Sequence, residues 1–319
     1  MARPLLRKIQ EDEHELLDWN EINKTLCSLA YFNRTQEQHR KAPEIRPSRE
    51  ILTDFDILDQ LSSHDESRHF LSELFTKCQL PSSDESFREF KLIPKGKILS
   101  LKMLHLSASI IEWSNKAGKG LRDLVPQSFT ALFPPPTKEL QKYLREIRSL
   151  IDSSGSLNYS AHPELKRLEQ EKKNLEVTLR SKLQEVIRSD EFSARLQHDQ
   201  HDVIHDRYVL AIRSDSYKGE LGFIVAKSGS GHTLFVEPFS LREISNKRIH
   251  ILAQIEEIIE KICQNFSKEL SELHEDFFHI LESAFTADDY LSRAELISKF
   301  SLTRPQISEE PQIELIQCY

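Results

Sequence analysis

The residues whose chemistry is best suited to binding form a short loop rich in glycine and serine, Ser228-Gly-Ser-Gly-His-Thr233. Backbone N–H groups in such a loop can surround phosphate oxygens. Lys227 beside the loop, with Arg213 and Lys218 earlier in the chain, adds positive charge. In a nucleotide-binding phosphate loop, Lys-Ser/Thr and the start of a helix follow the glycines. In this sequence a strand-like run follows the loop instead. We expect a hairpin loop that contacts a phosphate backbone; the alternative is a purely structural turn.

Glycine is scarce elsewhere in the sequence. Only 8 of the 319 residues are glycine, and half of these lie between Gly219 and Gly231. Their spacing fits neither a Walker phosphate loop nor a dinucleotide-binding fingerprint. Nor does the sequence contain a glycine-flanked nucleophile of the kind that hydrolases use. We therefore expect no catalytic residue and no bound cofactor in this chain.

Three histidines, His198, His201 and His205, alternate with aspartates just before the first strand-like run. On a helix, a four-residue step would place two imidazoles on one face, as in some zinc sites. The glutamate of the zinc-binding HExxH motif is missing. We interpret the segment as the polar end of a helix and expect no metal. We likewise interpret the acidic pairs Asp54/Asp56 and Asp288/Asp289 as solvated helix surface.

Proline spacing separates the two halves of the chain. Short amphipathic segments between prolines predict a helical bundle in the first half, and SAFTADDYLSRAELISKF at 283–300 predicts a helix that closes it. Two long proline-free stretches follow, from Glu164 to Glu237 and from Phe239 to Arg304. Their Leu and Ile residues recur at steps of three, four and seven, which predicts two long helices paired as an antiparallel coiled coil.

Three short runs of β-branched and aromatic residues lie between the long helices, at Arg207–Arg213, Leu221–Ala226 and Thr233–Val236. These runs predict a small antiparallel sheet at the tip of the coiled coil. The predicted fold class is therefore mainly α. The predicted divisions are a helical core at 1–150, an ascending lever helix at 151–205, a β clamp at 206–240, a descending lever helix at 241–282, and closure of the core with the start of a strand at 283–319.

Composition limits the function further. The chain carries 43 Lys and Arg against 51 Asp and Glu, a net charge of −8, which argues against non-specific coating of nucleic acid. No apolar run approaches the roughly 20 residues of a membrane span, and the N-terminus turns acidic too early for a signal peptide. The four cysteines form no CxxC pair. We expect a reduced, cytoplasmic protein without a membrane partner.

The region between the long helices resembles the MutS family and, within it, the MutS-two subfamily. The stretch Ser228-Gly-Ser-Gly-His-Thr-Leu-Phe-Val-Glu-Pro238 matches that subfamily's S-S/G-S-G-x-T-hydrophobic-F-hydrophobic-E-P pattern, and Asp206–Arg213 resembles its preceding strand. Residues 147–157 resemble the entry to the lever, and Leu241–Leu270 resembles the returning helix. The resemblance covers roughly Leu16 to Tyr319.

The resemblance implies the core, lever and clamp of a DNA-clamping protein that is related to mismatch repair. In the family a P-loop ATPase domain follows the lever and dimerises, and many members add an Smr nuclease domain. Ile313, Leu315 and Ile316 would then belong to the strand that leads into the ATPase domain. We therefore expect a fragment without enzyme activity, with ATP and Mg²⁺ needed only beyond Tyr319. The resemblance further implies a homodimer in the full-length form.

Charge confines the expected contact with nucleic acid to the clamp tip. Residues 164–200 carry equal numbers of acidic and basic groups, and residues 241–300 are net acidic. The residues expected to contact nucleic acid are Arg207, Arg213, Lys218, Lys227, Ser228, Ser230, Gly231, His232 and Thr233. Branched or duplex DNA is the leading partner, in keeping with the family's link to DNA recombination. The alternative is a coiled-coil interaction module that binds a protein or a ribosome or ribosomal RNA surface.

Overall fold

A computed structural model describes residues 19–41, 46–77, 84–121 and 133–308. The chain divides into two compact units. The first unit contains residues 1–155 and 263–319, and the second contains Ser156–Ile262. The strand predicted at Ile313–Ile316 and the cysteines Cys78 and Cys318 lie outside the described residues, whereas Cys27 and Cys263 are buried and form no disulfide with a described residue.

The first unit is helical. Its α-helices are α1 (Trp19–Leu29), α2 (Asn33–Arg40), α3 (Ser48–Ser63), α4 (Asp65–Lys77), α5 (Asp84–Lys91), α6 (Leu101–Gly120), α7 (Lys138–Leu150) and α11 (His274–Phe300), with a 3₁₀ turn at Ile93–Lys95. Polar residues begin two of these helices. The Ser100 Oγ accepts the Met103 N–H at the start of α6, and the Thr137 hydroxyl accepts the Leu140 N–H at the start of α7.

Helix α11 packs against α1, α3, α4 and α6 and forms the centre of this unit. Aromatic rings fill the space beside it: Trp113 stacks on Phe75 with centroids 5.6 Å apart, and the Phe32 ring meets Phe285 edge-on at 5.3 Å. The helices confirm the predicted mainly α fold class, and residues 283–300 lie within α11; closure of the core by this segment stays a prediction. None of the described helices is long and apolar enough to cross a membrane.

A buried polar cluster corrects one prediction for the first unit. Asp288 is fully buried instead of solvated, and its carboxylate accepts the Tyr31 N–H at 2.9 Å and the Phe32 N–H at 3.0 Å. These bonds fix the two residues that precede α2, the second of which, Phe32, is the N-cap residue of that helix. Burial raises the pKa of Asp288 to about 6, and it lowers the pKa of the neighbouring His39 to about 4.

The second unit contains a four-stranded antiparallel sheet packed on helices. Its elements are a 3₁₀ turn at Tyr159–Ala161, α8 (Pro163–Arg188), the short α9 (Asp190–Ser193), β1 (Leu196–Ile204), β2 (Arg207–Arg213), β3 (Gly222–Lys227), β4 (Thr233–Pro238) and the first part of α10 (Phe239–Glu272). The strand order is β1-β2-β4-β3. The central strands β2 and β4 pair through Leu210 opposite Val236 and Arg213 opposite Thr233.

Alternating side chains of the sheet form the core of the second unit. Tyr208, Leu210 and Ile212 of β2 share one face because successive strand residues point to opposite sides. They belong to one buried cluster with α8 and the start of α10, which also contains Leu179, Leu183, Phe192, Leu221, Leu234, Val236 and Leu241. The apolar stripe predicted on α8 is therefore buried at Leu179 and Leu183, whereas pairing of α8 with α10 as a coiled coil stays a prediction.

The sheet has one strand more than the sequence predicts. Residues 196–204 were expected to be the polar end of a helix, but they form β1 and pair antiparallel with β2 from Leu196 to Ile204. His205 and Asp206 have positive φ angles of 50° and 61° and connect the two strands. Such a two-residue turn matches the twist of a β-hairpin. The helix prediction is wrong here because pairing with β2 outweighs the weak local preference of a polar segment.

Candidate nucleic-acid interface

The glycine- and serine-rich loop joins β3 to β4 and is closed by hydrogen bonds between its own residues. The Ser228 N–H donates to the Thr233 carbonyl oxygen and the Gly231 N–H to the Ser228 carbonyl oxygen, both at 2.9 Å. The Thr233 N–H donates to the Ser228 Oγ at 3.1 Å. Gly231 has a φ of 74°, in the left-handed region that favours glycine. The loop is therefore the expected hairpin turn, with a defined backbone.

Three backbone amides of this loop have no acceptor among the described residues. The N–H groups of Gly229, Ser230 and His232 form no hydrogen bond within the part of the chain that the structure describes, and all three residues are exposed. Neighbouring backbone amides such as those of Gly229 and Ser230 are the kind of donor that binds anions. The loop is thus able to accept a phosphate oxygen without rearranging its own bonds.

Two basic side chains flank the loop. Arg213 ends β2 opposite Thr233, and the Ser214 N–H donates to the His232 carbonyl oxygen at 2.9 Å. The Arg213 guanidinium donates to the Ala194 carbonyl oxygen at 2.6 Å and remains exposed. Lys227, at the end of β3, is also exposed. We name the part of the sheet formed by Arg213 and Lys227–Thr233 the hairpin end.

Sequence reasoning missed one basic residue at the hairpin end, Arg195. Its carbonyl oxygen accepts the Arg213 N–H at 3.1 Å, which places the two arginines side by side. The Arg195 guanidinium donates to the Glu191 carbonyl oxygen. Recognising β1 as a strand would have revealed this residue, because the β1–β2 hairpin brings residues before β1 next to the end of β2.

Arg207 lies at the opposite end of β2. It is about 20 Å from Arg213, because six residue steps of extended strand separate the two arginines. Its guanidinium donates to Glu237 Oε2 at 2.7 Å and to Asn246 Oδ1 at 3.1 Å. Only 3% of the Glu237 side chain is exposed. Arg207 is thus occupied by a buried partner, and its main effect in this structure is to neutralise that carboxylate.

The part of the sheet formed by His205, Arg207, Gly222 and Glu237 is named the turn end. Gly222 allows β3 to approach β4 closely here, because a Cβ at this position would lie 2.0 Å from the Glu237 carbonyl oxygen. Lys218 is exposed in the segment that connects β2 to β3 and belongs to neither end.

The structure therefore brings most of the predicted contact residues together at the hairpin end and leaves two of them outside it. Arg213, Lys227, Ser228, Ser230, Gly231, His232 and Thr233 cluster there, whereas Arg207 and Lys218 do not. Their contact with nucleic acid stays a prediction. Among the described residues there is no group of three or more His, Cys, Asp or Glu side chains that could hold a metal ion.

The fold and this site define a mainly helical protein that carries a four-stranded antiparallel sheet with a cationic hairpin end. In sequence the chain is MutS2-like, which confirms the resemblance drawn from the motifs. It is 33% identical over 162 residues to the endonuclease MutS2 of Halalkalibacterium halodurans, which covers 50% of this chain and 20% of that relative. It is 30% identical over 183 residues to the endonuclease MutS2 of Carboxydothermus hydrogenoformans, a match that covers 55% of this chain and 23% of that relative.

A longer match extends over nearly the whole chain. The endonuclease MutS2 of Lactobacillus helveticus is 24% identical over 316 residues, which is 94% of this chain and 38% of the relative. The chain thus spans well under half of the length of the relatives it matches. No protein-family model matches the sequence.

Proposed function

We propose that the second unit binds DNA through the phosphate backbone at the hairpin end. The observation that supports this proposal is that three exposed amides without an acceptor among the described residues lie at the same end of the sheet as the exposed Arg213 and Lys227. Amides and basic side chains are the groups that hold phosphate oxygens in protein–DNA contacts. The similarity to MutS2 proteins favours DNA as the nucleic acid, because the clamp of the MutS family closes over DNA.

The proposed binding is shape-directed and weak for one copy of the chain. Two exposed cations and one loop neutralise about two to four phosphates, and each released counterion makes the affinity depend on salt. Residues 164–200 have no net charge and residues 241–300 are net acidic, so the helices add little attraction. Useful affinity therefore requires two copies that clamp the same duplex, in which the second contact gains from high effective concentration.

A second candidate function is an interaction module that binds a ribosome or ribosomal RNA surface. The same amides and cations would hold RNA phosphates, because phosphate contacts carry no information on the sugar or the base. DNA is preferred over RNA only because of the similarity to MutS2 proteins. Comparing DNA with RNA in one assay separates the two candidates.

The experiment measures the binding of the full chain to three fluorescent probes by anisotropy: a four-way branched DNA, a plain duplex of equal length and a structured RNA, each at two salt concentrations. Arg213→Glu combined with Lys227→Glu should weaken DNA binding about tenfold or more and reduce its salt dependence, because two phosphate contacts become repulsive. Lys166→Glu with Arg180→Glu on α8 is the matched control of equal charge change and should have little effect.

Unchanged DNA affinity in the Arg213→Glu, Lys227→Glu variant would contradict the proposed contact surface. Tighter binding of the RNA than of either DNA, lost in the same variant, would establish the second candidate instead. Equal losses in the variant and in the α8 control would show that only net charge matters and that the hairpin end has no special role.

A further inference from the structure

The turn end of the sheet exposes two aromatic rings that the proposed phosphate contact does not use. Phe223 on β3 is 49% exposed, and Phe239 at the start of α10 is 46% exposed. Their rings meet edge-on with centroids 5.5 Å apart. Single exposed apolar residues are common, but large apolar side chains that adjoin one another are typical of a surface that another molecule covers.

An arginine completes this surface. Arg242 is exposed, and its guanidinium lies over the Phe223 ring, 4.4 Å from the ring centroid. This cation–π contact orders the guanidinium before any partner binds. Aromatic residues and arginine are the residue types that are enriched in protein–protein interfaces. We name Phe223, Phe239 and Arg242 the aromatic patch.

A cavity lies beside the aromatic patch. Its volume is about 300 Å³, and its lining includes Phe223 and Arg242 of the patch. Phe239 does not line it, so the Phe239 ring stands next to the opening. A cavity of about 150 Å³ is enough to hold benzene, so this one has room for a phenyl ring. The turn end therefore carries both an exposed ring and a cavity that can receive such a ring.

Opposite charges flank the aromatic patch. Arg242 is the exposed cation, and Glu220, in the segment that leads into β3, is an exposed anion. The Phe239 N–H donates to the Leu221 carbonyl oxygen at 3.4 Å, which places Glu220 next to this phenylalanine. A two-fold axis between two copies of one surface brings each residue opposite a different residue of the other copy. One cation and one anion on the same surface are thus complementary to a second copy of that surface.

Other occupants fit the turn end less well. A partner with only acidic or only basic groups would place like charges opposite Glu220 or Arg242. An extended peptide that adds a strand needs a regular outer edge on β3, but the register of β3 with β4 shifts between Ile224 and Ala226. Such a bulge interrupts strand addition. A second copy of the chain satisfies both charges without adding a strand.

We propose that the turn end is a two-fold interface between two copies of this chain. Phe239 of each copy enters the cavity of the other, and Arg242 of each copy faces Glu220 of the other. The inference is independent of the proposed DNA contact, because the interface lies at the opposite end of β2 from Arg213. Pairing leaves both hairpin ends exposed and adds no phosphate contact. The dimer is weak and depends on concentration, because the apolar part of the surface is small.

Sedimentation velocity of the full chain without nucleic acid, from low to high micromolar concentration, tests the interface. The wild-type chain should shift from monomer to dimer as the concentration rises. Phe239→Ser should weaken the dimer about tenfold or more, because it removes the ring that fills the cavity. Serine is favoured at the start of a helix, so the melting temperature of this variant should not fall.

Phe300→Ser is the matched control. Phe300 belongs to the first unit and is 53% exposed, and Lys299 Nζ lies 5.5 Å from its ring centroid. The substitution therefore removes an equally exposed phenylalanine with a neighbouring cation. It should leave the dimer unchanged.

A charge reversal tests how the two copies meet. Arg242→Glu alone and Glu220→Arg alone should each weaken self-association, because each places like charges on the two sides of the axis. An equimolar mixture of the two variants should form a heterodimer, because every reversed charge then faces its opposite. A merely structural effect of either substitution would not be rescued by mixing.

A wild-type chain that stays monomeric at every concentration would overturn the proposal and leave the aromatic patch to a different protein. A dimer that survives Phe239→Ser, or a mixture that associates no better than each variant alone, would also overturn it. None of these outcomes affects the DNA contact of the hairpin end, which Arg213→Glu with Lys227→Glu tests separately.

Discussion

At the hairpin end of the sheet, basic side chains and backbone amides are exposed to solvent, whereas at the turn end a partly exposed arginine is paired with a buried glutamate. Both ends of β2 carry an arginine, and from the sequence the two residues have the same expected role. Burial separates them: Arg213 remains exposed, while Arg207 donates to Glu237, which is 3% exposed. We therefore expect Arg213 to contact phosphate, whereas Arg207 neutralises the Glu237 carboxylate.

The largest expected effect is at Gly222 of the turn end. In Gly222→Ala the new Cβ would lie 2.0 Å from the Glu237 carbonyl oxygen, so β3 must move away from β4. We expect a loss of about 3 kcal/mol or more in the free energy of unfolding, because backbone atoms cannot yield as a side chain can. Urea denaturation measures it. Gly219→Ala is the control, since its Cβ would meet nothing within 4 Å; equal losses in both variants would contradict the close approach.

The two arginines of β2 give the next largest contrast. Arg207→Ala should lower the free energy of unfolding by about 2–3 kcal/mol, because it leaves the buried Glu237 carboxylate without its counter-charge. Arg213→Ala should lower it by less than about 0.5 kcal/mol, as is usual for an exposed side chain. Denaturant titration of both variants tests the contrast, and a larger loss for Arg213→Ala would reverse the roles assigned to the two ends.

Glycines of the hairpin end should respond more mildly than Gly222. Gly231→Ala places a side chain at a φ of 74° with nothing within 4 Å, so strain is the only cost. That cost is about 1–2 kcal/mol for a left-handed L-residue. Gly229→Ala, where no positive φ occurs and the space is also open, should be nearly neutral. Equal melting temperatures for the two variants would show that the left-handed turn is not needed.

The last predicted effect concerns the pH dependence of stability that two buried titratable groups of the first unit, His39 and Asp288, produce. Because burial lowers the pKa of His39 to about 4, the folded state favours the neutral imidazole. The stability that this imidazole contributes above pH 6.5 is therefore lost as the pH falls towards 4. Asp288 has the opposite pH dependence. Because its pKa is raised to about 6, its contribution to stability falls as the pH rises from about 4 to 6. In His39→Gln the first contribution disappears. The gap in melting temperature to wild type should therefore narrow between pH 7 and pH 4.5; a constant gap would contradict the buried neutral histidine.

The sequence predicted the elements that have strong local signals. Glycine and serine at 228–231 identified the hairpin loop, and the β-branched runs identified β2, β3 and β4. The segment 196–204, LQHDQHDVI, gave no such signal because it is an exposed edge strand that depends on pairing with β2. The burial of Asp288 and the pairing of Arg207 with Glu237 depend on partners far apart in the chain, at separations of 256 and 30 residues. Spacing along the sequence carries no information on such contacts.

The central claim, that the hairpin end holds phosphates while the turn end does not, is tested most directly by the salt dependence of duplex DNA binding. The slope of log Kd against log salt counts the phosphates that the protein neutralises. Removing two contacts with Arg213→Glu and Lys227→Glu should reduce the magnitude of that slope by about 2, and Phe223→Ala should leave it unchanged. A slope that is unaltered in the double variant, or reduced by Phe223→Ala, would contradict the account.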